Sequence, residues 1–213
     1  GTQADVVICL SEEEVTRLIF VREEEKLARD VYVTLEETWY LPILANIAES
    51  EQRHMDAVGQ LIDKYGLEDP VTDDTVGVFS NPDLQKLYGG LVSDGVVDLE
   101  FLNLDLKIQG GATSLVTALK VGAFIEEFDI LDLQDALADT THGDIENVYE
   151  NLLRGSRNHL RSFMGQIEAS GETYEPVLMT GDLYPMYQEI ISGDQETANG
   201  NGQRGQWRRG RCF

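Results

Sequence analysis

The sequence predicts an all-α protein: a four-helix bundle with a long crossover between the second and third helices. Three observations carry that expectation. Four long stretches repeat apolar residues in steps of three and four. The stretches within each pair are closely joined, whereas residues 67–112 separate the two pairs. Residues of metal-ligand type interrupt all four apolar seams, where a bundle would ordinarily place leucine.

Ser11 and Glu14 form a capping box that opens the first helix, and the acidic first turn complements the helix dipole. Its seam runs through Leu18, Val21, Glu25, Ala28, Tyr32, Leu35 and Trp39, with Glu23, Glu24, Lys26 and Arg29 expected mostly on the wet face. Pro42 marks a short turn. The second helix covers about 43–65 and ends at Gly66, with Leu44, Ile47, Glu51, His54, Val58, Leu61 and Tyr65 on its seam. In the crossover, Pro70, Gly77, Asn81-Pro82 and Gly89-Gly90 break the periodicity, leaving room for a short helix over 83–92. Residues 96–108 alternate loosely and fit either an extended or a helical reading.

The third helix is expected to start near 112–113, with Leu119, Ala123, Glu126, Ile130, Leu133 and Leu137 on its seam and Asp129 one turn beyond Glu126. Glu127 is the alternative to Glu126 if the seam drifts. The loop at 140–144 contains His142, expected at the surface. The fourth helix, about 144–169, aligns Ile145, Val148, Leu152, Ser156, His159, Phe163 and Ile167. The bundle is thus expected over 11–180. A partly flexible tail follows over 181–213, ending in Arg204, Arg208, Arg209 and Arg211 around Trp207.

At 213 residues the chain can bury a core of its own. The net charge of −23 argues against nucleic acid or an anionic membrane as partner, and suits solubility, a high-salt habitat or attraction of cations. No apolar run is long enough for a membrane span, so a soluble protein is expected, cytoplasmic or exported with a processed N-terminus. Cys9 and Cys212 lie near opposite ends with no CxxC pair, which excludes a cysteine-built zinc or rubredoxin-type site.

Glu51 and His54, three residues apart, project from one helix face about one turn apart. Buried without partners, such groups are costly. Glu25, Glu126, Asp129 and His159 put further ligand types on the other three helices. A lone Glu from two helices with Glu-x-x-His from the others is the known plan of two-metal bundles. Here Ser156 stands where the second such motif would carry glutamate. The competing reading is a metal-free polar network paired with Arg29, Arg53 or Arg157.

Glu25-Lys26-Leu27-Ala28-Arg29-Asp30-Val31-Tyr32 and Ile47-Ala48-Glu49-Ser50-Glu51-Gln52-Arg53-His54 resemble the first half of rubrerythrins and related ferritin-like proteins. With 122–132 and Gly155-Ser156-Arg157-Asn158-His159-Leu160, the chain resembles most the ferritin-like DUF2202 family of prokaryotes over about 11–180. The resemblance implies a non-haem site of two Fe ions, with Mn or a mixed pair as variants, held by Glu25, Glu51, His54, Glu126, Asp129 and His159. Tyr32 and Ser156 would lie just behind them. It also implies redox activity of peroxidase or ferroxidase type towards peroxide, oxygen or Fe(II), fed by an electron donor the sequence does not identify. A homodimer is compatible with it, as is iron binding without turnover.

Overall fold

A computed structural model describes residues 10–193. The chain is mostly helical, with six helices and one two-stranded sheet among the described residues. Helix α1 spans Glu12–Trp39; the Ser11–Glu14 capping box opens it and Tyr40, at φ 52°, closes it. Helix α2, Pro42–Tyr65, carries proline in its first turn and ends at Gly66, whose φ of 67° suits a residue without Cβ. Helix α3, Pro82–Leu91, is capped by Asn81. The ambiguous stretch after it resolves into strands β1, Val96–Asp98, and β2, Lys107–Gln109, paired antiparallel with Val97 opposite Ile108.

Residues 111–113 form a single 3₁₀ turn. Ser114 then caps helix α4, Leu115–Asp139, which therefore begins slightly later than its composition suggests. Helix α5 is Gly143–Ala169. The expected tail supplies a sixth helix, α6, Tyr184–Ser192, which packs against α5 through buried Tyr187 and Ile190. Cys9, Cys212 and the arginine-rich terminus lie outside the described residues.

Helix α1 packs most extensively on α2 and α4 on α5, while α1 also meets α4 and α2 meets α5. One apolar core runs through all four and takes in Leu84, Leu87 and Leu91 of α3 and Val97 of β1. The crossover therefore adds to this core instead of building another.

That crossover corrects one expectation. Glu23, Glu24, Lys26 and Arg29 are buried, not solvated. Residues 69–81 lie across the far side of α1, where Ser80 and Asn81 backbone N–H groups donate to Glu23, and Gly77 N–H donates to Asp30. Lys26 Nζ lies 2.5 Å from Asp30 and also donates to the Thr75 carbonyl. Arg29 bonds Asp30, Asp74 and Gln52. A seam-based reading assigns one buried face to each helix, and α1 has two. His142 is a second correction. It is half-buried, with Nδ1 2.7 Å from Glu14 Oε1, because that carboxylate folds back over the 140–142 loop.

Candidate metal centre

Midway along the four long helices, two trios of ligand-type atoms share one carboxylate. Glu25, Glu51 and His54 form one, and Glu51, Glu126 and His159 the other; within each trio the ligand atoms lie within 4.8 Å of one another. Glu25 comes from α1, Glu51 and His54 from α2, Glu126 from α4 and His159 from α5. His54 Nδ1 lies 2.7 Å from Glu51 Oε2 and 3.2 Å from Glu25 Oε2. Across the site, His159 Nδ1 lies 2.7 Å from Glu51 Oε1 and 3.5 Å from Glu126 Oε2. Each Glu51 oxygen thus faces a different imidazole, and the two rings lie nearly parallel, 5.7 Å between centroids.

His54 Nδ1 is hydrogen-bonded to Glu25, whereas the approaches to Glu51 and from His159 to Glu126 are poorly aligned for hydrogen bonding. Both Glu51 oxygens, Glu126 Oε2 and His159 Nδ1 are buried without a hydrogen bond, leaving the core with unsatisfied polar atoms at a considerable cost. Atoms that converge on a common point, and do not aim at each other, have the geometry of a donor set for cations.

The electrostatics agree. Burial drives the Glu25 and Glu126 carboxyls up, only partly opposed by the neighbouring imidazoles. Burial also acts on Glu51, but contacts from His159 and His54 outweigh it and hold this carboxyl low. Burial would lower both histidines, yet Glu25 and Glu51 raise His54, and Glu126 and Glu51 raise His159. The carboxylates thus favour protonated imidazoles at both histidines.

Surrounding residues fix the ligands. Tyr32, fully buried, donates to Glu126 Oε1 at 2.5 Å. Gly155 lets the His54 ring lie against α5: a Cβ there would be 2.5 Å from Cε1 and 2.6 Å from Nε2. Ser156 is buried and turns its hydroxyl to the Leu152 carbonyl at 3.3 Å. Glu127, the alternative to Glu126, is occupied elsewhere. It accepts from Tyr174 and from the backbone N–H groups of Val177, Leu178 and Met179.

Five of the six expected ligands therefore come together, and Asp129 stands outside both trios. Its two oxygens are buried without hydrogen bonds, and burial followed by the Glu24 charge pushes its pKa well up. Glu24 is raised in the same way, by burial and then by Asp132. Sequence reasoning missed Glu24, Asp132 and the role of Gly155. The signal for Gly155 was a glycine in a helix interior, where it costs stability; Glu24, beside a seam residue, had none. Arg29 is engaged with Asp30 and Asp74, Arg53 pairs with exposed Glu49, and Arg157 Nε has no hydrogen-bond partner. None of these arginines is paired with a carboxylate of the two trios.

The family of the "Uncharacterized protein domain (DUF2202)" matches residues 14–194. The chain is 48% identical over 187 residues to the uncharacterised protein MJ0754 of Methanocaldococcus jannaschii, spanning 88% of this chain and 91% of that protein. The crystal structure of the hypothetical protein MJ0754 from Methanococcus jannaschii superposes with a TM-score of 0.76 at 46% identity, over 90% of this chain and 98% of that one. Matched over most of its length, the chain belongs to the DUF2202 family.

Proposed function

We propose that the four long helices form a ferritin-like bundle holding two metal ions, iron in the first instance, for redox chemistry with peroxide, oxygen or Fe(II). The observation that carries this reading is Glu51: one buried carboxylate shared by two trios, with neither oxygen hydrogen-bonded. Glu25 and His54 would hold one ion, Glu126 and His159 the other, and Glu51 both. Three carboxylates and two neutral imidazoles suit iron or manganese in the divalent state.

Two iron ions would supply electrons to a small oxidant, becoming oxidised themselves, and Fe(II) could itself be the substrate. The chain's own residues set the conditions. Glu51 holds the two positions at a fixed separation. The Tyr32 hydroxyl holds Glu126 Oε1 so that Oε2 faces His159. The carboxylate side is sealed from water, while the side chains of His54 and His159 retain 13% and 11% exposure, so small molecules approach along the imidazole edge.

The test is anaerobic Fe(II) loading followed by metal analysis, then addition of peroxide or oxygen while the optical spectrum is followed. Two ions per parent chain are expected, with the loss of both in Glu51→Gln. Equal metal content in parent and variant overturns the site. Oxidation without turnover would leave iron binding as the role, and turnover of one oxidant over the other separates peroxidase from ferroxidase. A metal-free polar network is the weaker reading, because it leaves the Glu51 oxygens without aligned donors.

A further inference from the structure

We propose that electrons reach the metal centre from the surface of α6, passing from Tyr184 through Tyr187, Met164 and Phe163 to Tyr32. The inference rests on the two-metal reading above and deepens it by naming where reducing equivalents enter.

Reduction of oxygen to two waters takes four electrons and four protons. Two ferrous ions give two electrons on becoming ferric, so the other two must come from outside the ion pair. Tyr32 is the residue placed to hand them over. It is fully buried, and its hydroxyl donates to Glu126 Oε1 at 2.5 Å, so it touches the centre but not the solvent.

A continuous line of contacts leads outward from Tyr32. Its ring centroid lies 5.5 Å from that of Phe163 on α5. Gly122 on α4 makes space for the Phe163 ring, since a Cβ there would lie 2.4 Å from Phe163 Cε1. Met164 follows Phe163 in the chain, and its Sδ accepts from the Tyr187 hydroxyl at 3.3 Å. Tyr187, buried on α6, stacks on Tyr184 with 5.8 Å between ring centroids and 29° between planes. Tyr184 opens the same helix and is 39% exposed. Each member is thus in contact with the next or bonded to it along the chain, from a proposed ligand to the surface.

The chemistry of each member fits its place. A tyrosine that gives up an electron must also release its phenolic proton. Tyr32 has Glu126 Oε1 to take that proton, and Tyr184 has water. Tyr187 has a thioether, a weak acceptor that gives a buried hydroxyl little anchorage. Together with the Phe163 ring and the polarisable Met164 sulfur, Tyr187 bridges the two ends without holding a charge. In one transfer Tyr32 reduces the oxidised centre while its proton moves to Glu126. Tyr184 then restores the electron to Tyr32, which recovers that proton, and Tyr184 releases its own proton to water. A one-electron reductant in solution, of the ascorbate class, returns Tyr184 to the phenol with a proton from water. Two such transfers, with four protons from solvent, complete the reduction begun by the two ferrous ions.

The experiment loads the full chain anaerobically with Fe(II), measures its metal content and adds oxygen without reductant. Electron paramagnetic resonance of frozen samples reads the organic radical, and its decay is followed after ascorbate is added. The parent should form a tyrosyl radical that ascorbate removes. Tyr184→Phe alters an exposed ring, and Met164→Leu nearly conserves volume, so both should fold. Both should form the radical and lose it to ascorbate roughly tenfold or more slowly, equivalent to about 1.4 kcal/mol on the transfer barrier. Tyr40→Phe, at an exposed tyrosine off this line, should behave as the parent. A parent holding two ions that forms no tyrosyl radical with oxygen overturns the inference while leaving the metal site intact. So does a parental decay rate in Tyr184→Phe or Met164→Leu, or an equal slowing in Tyr40→Phe. A parent holding fewer than two ions overturns the metal reading, and the electron path with it.

Discussion

Replacing Gly155 with alanine probes the candidate metal centre without replacing any of its proposed ligands. The added Cβ would lie 2.5 Å from His54 Cε1 and 2.6 Å from Nε2, and 3.8 Å from Nδ1. Ordinary carbon contacts are about 3.5–4.0 Å, so the ring must withdraw by roughly 1 Å. It has little freedom to do so, because Nδ1 is already 2.7 Å from Glu51 and 3.2 Å from Glu25. Overpacking of this kind costs roughly 1–3 kcal/mol. Alanine's advantage over glycine in a helix interior returns about 0.5–1 kcal/mol. The fold should therefore lose little, while the displaced imidazole weakens the ion held by Glu25, Glu51 and His54 by roughly ten- to a hundredfold. Anaerobic Fe(II) titration by calorimetry reads the affinities, and urea unfolding of the metal-free protein reads the stability. Expected are one ion bound as in the parent, at Glu51, Glu126 and His159, and one bound weakly. Two ions held with parental affinity would refute the argument, since the His54 ring would then be free to move without consequence.

Three further changes test other parts of the structure. Glu14 is buried, which would raise its pKa, but His142 together with the Ser11 and Thr141 backbone groups holds it at about 2 instead of 4.5. A depressed carboxyl stabilises fully above its unfolded value and loses that contribution as pH falls. About 3 kcal/mol should therefore disappear between pH 4.5 and 2, and Glu14→Gln should flatten that acid limb in denaturant midpoints measured against pH. Asp30→Ala leaves Lys26 buried without its partner and frees the Gly77 N–H. It should cost roughly 3–5 kcal/mol in urea unfolding and open residues 69–81 to limited proteolysis, whereas an unchanged cleavage pattern would show that the crossover is held by other contacts. Tyr32→Phe removes the hydrogen bond to Glu126. It should weaken the ion at Glu126 and His159 by about 1–3 kcal/mol and spare the other, so equal weakening of both ions would count against the role given to Tyr32.

Much of the architecture was legible because the four long helices obey local rules. The Ser11–Glu14 box and Gly66 set helix ends, and the three-four spacing identified Glu25, Glu51, His54, Glu126 and His159 as core-facing. Periodicity failed where tertiary packing wraps a helix on a second side. Nothing local marks Lys26 or Glu23 as buried, because their partners, Thr75, Ser80 and Asn81, lie about fifty residues away. The same limit hid His142, whose partner is at the opposite end of the bundle sequence. Asp129 satisfied the spacing rule and yet stands outside both trios, since sharing a helix face does not ensure that a shorter side chain reaches the same point.

Burial alone does not distinguish a metal ligand from a structural acid in this chain, because its core holds both. Glu14, Glu23, Asp30 and Glu127 are buried as Glu51 is. Each of the four is surrounded by donors: loop N–H groups for Glu14 and Glu23, Lys26, Arg29 and Gly77 for Asp30, and Tyr174 with three backbone N–H groups for Glu127. Their negative charge is already answered by the fold, and each fastens a loop or crossover to a helix. Glu51, Glu126 and Asp129 differ in having buried oxygens without donors, and these gather between α1, α2, α4 and α5. Glu51 and Glu126 stand in trios with histidines, and Asp129 stands in neither. Among the described residues, unanswered oxygens next to imidazole nitrogens occur together at the two trios. That conjunction, more than the number of acids, is why the metal reading centres on Glu51 and not on the other acids of the core.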